Sequence, residues 1–100
     1  MLLNAIPGGL IPPEGITISF RPIRPEEVPA DFVSAIGHQD TAVLVSNLLG
    51  RPVPANRVSV PPLQSGDTHF VVLYQGPRLP EGTTRLPEGA TLVLYEMRAL

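Results

Sequence analysis

Residues 34–50 read S-A-I-G-H-Q-D-T-A-V-L-V-S-N-L-L-G, and the fold is decided by where helices begin and end in this stretch. Gly37 reads as the end of one helix, because glycine takes the left-handed C-cap conformation without a steric penalty. Asp40 or Thr41 then opens the next helix, each with an oxygen able to cap free backbone N–H groups. From about Thr41 to Leu49 the apolar residues Leu44, Val45, Leu48 and Leu49 fall on one face. Ser46 and Asn47 are the polar break, and Gly50 is the stop signal. His38 lies just ahead of this helix, where unpaired N–H groups and the helix dipole attract an anion. The plainer reading of the same position is a polar residue in a helix–helix turn.

Working outward, Pro25 to Ile36 (P-E-E-V-P-A-D-F-V-S-A-I) reads as the preceding helix, with acids early in it and Pro29 breaking its first turn. Leu2 to Ile6 is a short strand stopped by Pro7-Gly8-Gly9, and Ile16 to Arg21 alternates with the period of a half-buried strand. Arg57 to Val60 is another short strand, ended by Pro61-Pro62. His69 to Tyr74 and Thr91 to Met97 carry the strongest strand signals. Five strands and two helices in this order predict an α/β (α+β) domain, a five-stranded mixed sheet flanked by helices.

Composition bounds the chemistry. With 43% hydrophobic and 16% charged residues, 100 residues suffice for one globular domain with a core. Cysteine is absent and histidine occurs only as His38 and His69, which excludes thiol chemistry and cysteine-built zinc sites. All seven basic residues are arginine, and the net charge of −2 argues against long nucleic acid as a partner for the whole surface. A small anion held by a few arginines fits. Thirteen prolines between the apolar runs suit a thermophilic source. The start lacks a basic n-region and no run reaches membrane-spanning length, so a cytoplasmic location and no membrane partner are expected.

Between the last two strands lies Q-G-P-R-L-P-E-G-T-T-R-L-P-E-G-A, in which R-L-P-E-G occurs at 78–82 and again at 85–89. A long connection with charge and glycine suits a binding loop or lid. Pro-Glu-Gly is also turn chemistry on its own terms, and the second copy reads best that way.

Three blocks now stand in order: Asn4-Ala5 after the first strand, I-G-H-x-x-T at 36–41 followed by the apolar helix and Asn56-Arg57-Val58, and R-L-x-E-G after an apolar strand. In these blocks the chain resembles the small ring nucleases of viruses and prophages, the anti-CRISPR proteins directed against type III systems. The resemblance implies a homodimer that holds cyclic tetra-adenylate between its subunits and needs no cofactor. It implies His38 and Glu81 as catalytic residues, and Asn4, Arg57 and Arg78 as ligand contacts. Asp40 and Thr41, at the helix N-terminus, join the ligand-binding set. The chain departs from the family pattern at Pro7, where a serine is usual. The repeat leaves Arg85 and Glu88 as an alternative to Arg78 and Glu81.

The residue types suit that reaction. A ribose 2′-hydroxyl attacks the adjacent phosphorus, expels the 5′-oxygen and leaves a 2′,3′-cyclic phosphate. The leaving oxygen needs a proton, which an imidazolium can donate, typically for about 10²–10⁴-fold in rate. Arginines and helix N–H groups stabilise the phosphoryl charge. A ring of four identical nucleotides contains two-fold symmetry, which a two-fold dimer matches. The alternative from a different class is a non-catalytic nucleotide- or protein-binding module of a mobile element. A small transcription regulator ranks last, because the acidic balance argues against groove binding.

Overall fold

Two long strands form the centre of the computed structural model, which describes residues 1–78 and 82–100. They are β3 (Thr68–Gln75) and β4 (Thr91–Ala99), paired antiparallel from Thr68↔Arg98 to Gln75↔Thr91. Both follow the expected spans with small extensions at their ends. β1 (Leu2–Leu3) runs parallel to β3, and β2 (Ile18–Pro22) runs antiparallel to β4. The order is β1-β3-β4-β2, so the sheet is mixed as expected but has four strands rather than five.

The fifth strand, Arg57 to Val60, joins no ladder. Prolines at 52, 54, 61 and 62 deprive its surroundings of backbone donors. Its neighbour Asn56 is tied differently: the backbone N–H bonds to the Ile36 carbonyl at 2.7 Å and the side-chain amide to the Ser34 carbonyl at 2.8 Å. β1 is also shorter than the Leu2–Ile6 expected.

The helix expected from Pro25 is not formed; a single 3₁₀ turn covers Pro25–Glu27. Pro29 and Gly37 leave too little chain between them for a stable helix, and the backbone pairs with β1 instead. Leu2 N–H bonds to the Val33 carbonyl at 2.8 Å and Ala35 N–H to the Leu2 carbonyl at 2.9 Å, with Ser34 bridged to Leu2. Accordingly Gly37 caps no helix and keeps φ out of the positive range.

One α-helix remains among the described residues, α1 (Gln39–Leu49). His38, rather than Asp40 or Thr41, is its N-cap, with extended backbone (φ −113°, ψ 131°). The stop at Gly50 is as expected, with φ 66°. Among the described residues no helix is long and apolar enough to cross a membrane.

The sheet buries both faces. On one, Leu2, Val72 and Leu94 pack against Ala42, Val45 and Leu49 of α1 and against Ile36 and Val53. On the other, Leu3, Val71 and Met97 meet Leu10 and Leu63, whose coil segments are joined by Leu63 N–H to the Leu10 carbonyl at 2.8 Å. Burying a side chain such as Leu10 fully contributes about 1.5–3 kcal/mol. Helix therefore covers one face and coil the other. β2 is the exposed edge: Ile18 is half-buried, whereas Phe20 is 45% exposed, edge-on to Tyr95. Arg21 and Pro22 discourage further pairing there.

Ser46, a plain polar position by sequence, ties α1 to the chain beyond it. Its hydroxyl bonds to the Ala42 carbonyl at 2.7 Å and accepts the Val53 N–H at 2.9 Å. Ser46→Ala leaves that N–H without its partner beside the core, and should lower the free energy of unfolding by about 1–3 kcal/mol in urea titrations. An unchanged urea midpoint would mean that water replaces the hydroxyl.

At the start of β3, His69 Nδ1 lies 3.1 Å from the amino terminus, whose ammonium donates to it. Burial, and then that positive charge, push the His69 pKa below its ordinary value, with Asp67 opposing. The unfolded chain therefore takes up the proton first. Stability should be full above about pH 6.5 and should fall as the pH drops through the lowered folded value. His69→Gln should flatten this part of the profile, and a slope that survives the substitution would place its origin elsewhere.

Candidate functional site

The parallel register of β1 on β3 places Asn4 beside the C-terminal half of β3, with Leu3 opposite Val71. There a cleft of about 300 Å³ opens between the sheet and the first turns of α1. Its walls are apolar: Leu44 and Val45 from α1, Val72 from β3 and Leu92 from β4. Its polar groups are Asn4, Thr41, Tyr74 and Arg78. Asn4, Thr41 and Arg78 come from the three separate sequence blocks.

Arg78 reaches this cleft because of how its loop begins. Gly76 has φ 149°, and a Cβ there would stand 2.9 Å from the Cα and Cβ of Ala90 and from the Tyr74 hydroxyl. The two ends of the loop thus meet at a residue without a side chain. The Tyr74 hydroxyl donates to the Pro77 carbonyl, which fixes the chain one residue before Arg78. The Arg78 side chain is exposed and makes no hydrogen bond or ion pair among the described residues.

His38 and Asp40 are exposed, His38 at the N-cap of α1 and Asp40 in the first turn. Neither lines the cleft, although Thr41, one residue on, does. Arg57 joins this end of the helix from the coil: its Nε donates to the Gly37 carbonyl at 3.1 Å. A Cβ on Gly37 would lie 3.1 Å from Arg57 Cγ, so the glycine lets the arginine cross the backbone just before His38. Glu81 lies outside the described residues. The alternative arginine, Arg85, lines a different cleft with Asn47 and Leu48.

A further cleft of about 380 Å³ shares Asn4 and runs along Ala5, Pro7 and Val58 to Ser59. Pro7 borders it, and Ser59 brings a hydroxyl to the same space. Sequence reasoning missed Ser59 and Tyr74. Tyr74 was accessible in principle, since strand alternation puts it on the face of Val72. Ser59 had no signal, because its position depends on a coil tied through Asn56 and Arg57.

Fold and site together describe a small α+β protein in which two clefts share Asn4 and one of them reaches Thr41 in the first turn of the helix. The STIV B116-like family matches residues 1–100, and the chain belongs to that family. Among solved structures it is similar to B116 of Sulfolobus turreted icosahedral virus, a viral protein, at 24% sequence identity and a TM-score of 0.70. That alignment covers 97% of this chain and 96% of the viral one, and it establishes a shared fold. No curated protein matches the chain.

Gly76→Ala tests how the loop is anchored. The added methyl has neither room nor a favourable φ, and the two effects should together cost about 1–3 kcal/mol and move the Tyr74 and Ala90 amide resonances. Gly8→Ala, with nothing within 4 Å of the new Cβ, should change neither. Equal behaviour of the two variants would show that the loop base can relax.

Proposed function

We propose that the chain is a viral, metal-independent ring nuclease that cleaves cyclic tetra-adenylate to linear di-adenylates ending in 2′,3′-cyclic phosphate, and so antagonises type III CRISPR signalling. The observation that carries this reading is the convergence of Asn4, Thr41 and Arg78 on one cleft at the N-terminus of α1. Parts of the chain as far apart as residues 4 and 78 meet where backbone N–H groups favour an anion.

In this mechanism Arg78 and the helix N-terminus hold the scissile phosphate, and Arg57, anchored through Nε, offers its terminal nitrogens to a second phosphoryl oxygen. His38 donates the proton to the leaving 5′-oxygen as the 2′-hydroxyl, giving up its own proton to water, attacks in line. Asn4 binds at the junction of the two clefts that share it. Tyr74 keeps the Arg78 arm in place. The role of Glu81 as a second catalytic residue rests on the resemblance.

The same reading calls for a homodimer. His38, Arg57 and Arg78 are all exposed in the single chain, and a charged reaction gains little from arginines left in water. A second copy placed over this end would exclude water and set a second His38 at the opposite linkage of the ring.

Incubation of the purified protein with cyclic tetra-adenylate in EDTA should yield linear di-adenylate with a cyclic phosphate end. His38→Ala should slow single-turnover cleavage by about two orders of magnitude or more while leaving ring binding largely intact. Arg78→Ala should weaken binding as well, because a phosphate contact acts in ground and transition states alike. Wild-type cleavage by His38→Ala would remove the histidine from the mechanism. Binding without cleavage by the unmodified protein would favour sequestration.

A further inference from the structure

The second R-L-P-E-G, read from sequence as turn chemistry, lines a cleft of its own. This cleft, of about 390 Å³, lies between the second copy and the outer side of α1. Arg85 and Leu86 face it from the loop, Asn47 and Leu48 from the helix, and Leu44 and Leu92 form the wall. Leu44 and Leu92 are also wall residues of the cleft that holds Arg78 and Asn4. Each cleft thus combines one side-chain amide, one arginine from a copy of the repeat, and the same two leucines. The amide is Asn4 in one and Asn47 in the other; the arginine is Arg78 in one and Arg85 in the other.

The chemistry of the second cleft is specific in kind. Arg85 makes no hydrogen bond or ion pair among the described residues, so its guanidinium is available to an anion. Asn47 is exposed on the helix surface, and an asparagine amide can donate to and accept from the N6 and N7 edge of adenine. The leucines suit the faces of a flat, weakly polar ring. Leu86, 40% exposed, leaves apolar surface open beside the arginine. The volume lies within the range of small-ligand sites. The shared Leu44 and Leu92 make the two clefts neighbours, with Thr41 and Asn47 about 9 Å apart along the helix axis.

We propose that Arg85, Asn47 and the leucines between them form a second half-site, which binds one adenylate unit with its phosphate on Arg85 and its base edge on Asn47. The repeat then has a physical meaning: two copies of one loop unit serve two adjacent nucleotide positions on a shared apolar wall. The choice of adenine rests on the ring-nuclease reading. The choice of a nucleotide rests on the cleft.

Binding of adenosine 5′-monophosphate, followed by methyl and amide NMR, tests this without any cleavage step. The Leu48 and Leu86 methyls and the Asn47 side-chain amide should shift in a saturable manner. Arg85→Ala should raise the dissociation constant for that set of signals by at least about tenfold, and Arg85→Lys by less. Adenosine without phosphate should bind as weakly to the unmodified protein as the nucleotide does to Arg85→Ala. Asn47→Ala should weaken the nucleotide but not inorganic phosphate. The spectrum of each variant reports whether it is folded.

Nucleotide shifts confined to Asn4 and Thr41, or an affinity indifferent to Arg85, would overturn the half-site. So would inorganic phosphate matching the nucleotide, since the site would then read charge alone. Arg85-dependent nucleotide binding in a protein that leaves the ring intact would retain the half-site and discard the nuclease. Ring cleavage with no Arg85-dependent binding would do the reverse.

Discussion

The parallel pairing of Leu2 and Leu3 with Phe70 and Val71 governs the arrangement of everything else. Two residues of strand are a small ladder, yet both side chains are almost fully buried, Leu2 under α1 and Leu3 under the coil on the opposite face. The pair therefore locks the chain start against the sheet from both sides. Its other edge receives Val33 to Ala35, which uses up the backbone of the segment leading into α1. Asn4 and His38 are thus set by a single piece of pairing, one leaving β1 and the other three residues beyond the segment that flanks it.

The loop between β3 and β4 is governed by a different constraint, the close approach of its two ends. Gly76 and Ala90 approach so closely that the first cannot carry a side chain, and the Tyr74 hydroxyl closes the turn on Pro77. Beyond that base, Gly82 and Gly89 both take positive φ, near 80°. Arg78 lines the cleft at the first turns of α1, and Arg85 the cleft beside Asn47 and Leu48.

The arginines divide by what they touch. Arg21 and Arg98 share the Glu96 carboxylate at 3.3 and 3.4 Å, an exposed network of the kind that contributes little to stability. Arg51 has a structural task, donating to the carbonyls of Pro25 and Val28 at 3.0 and 2.8 Å and lying over Phe32. It replaces, with side-chain bonds, some of the satisfaction that a helix at 25–36 would have provided. Arg57 is half-committed, through Nε, and Arg78 and Arg85 are uncommitted among the described residues.

Local periodicity was enough to place β3, β4 and α1, since each is a continuous run whose pattern matches its own geometry. The glycine at 50 and the turn at 89 were legible for the same reason, as backbone requirements carried by single residues. The helix expected at 25–36 and the strand at 57–60 were not, because both depend on partners distant in sequence. Pro29 weakened the first until pairing with Leu2 won, and the second lost its ladder to prolines and to the ties of Asn56. Among the site residues, the blocks named Asn4, His38, Thr41, Arg57 and Arg78. Only tertiary structure decided that Asn4, Thr41 and Arg78 share a cleft, that Arg57 reaches Gly37, and that the two repeats address different clefts. Sequence determines which groups are available and which short segments are regular. Long-range pairing across the sheet determines which groups meet, because a contact between residues 4 and 78 has no local signature.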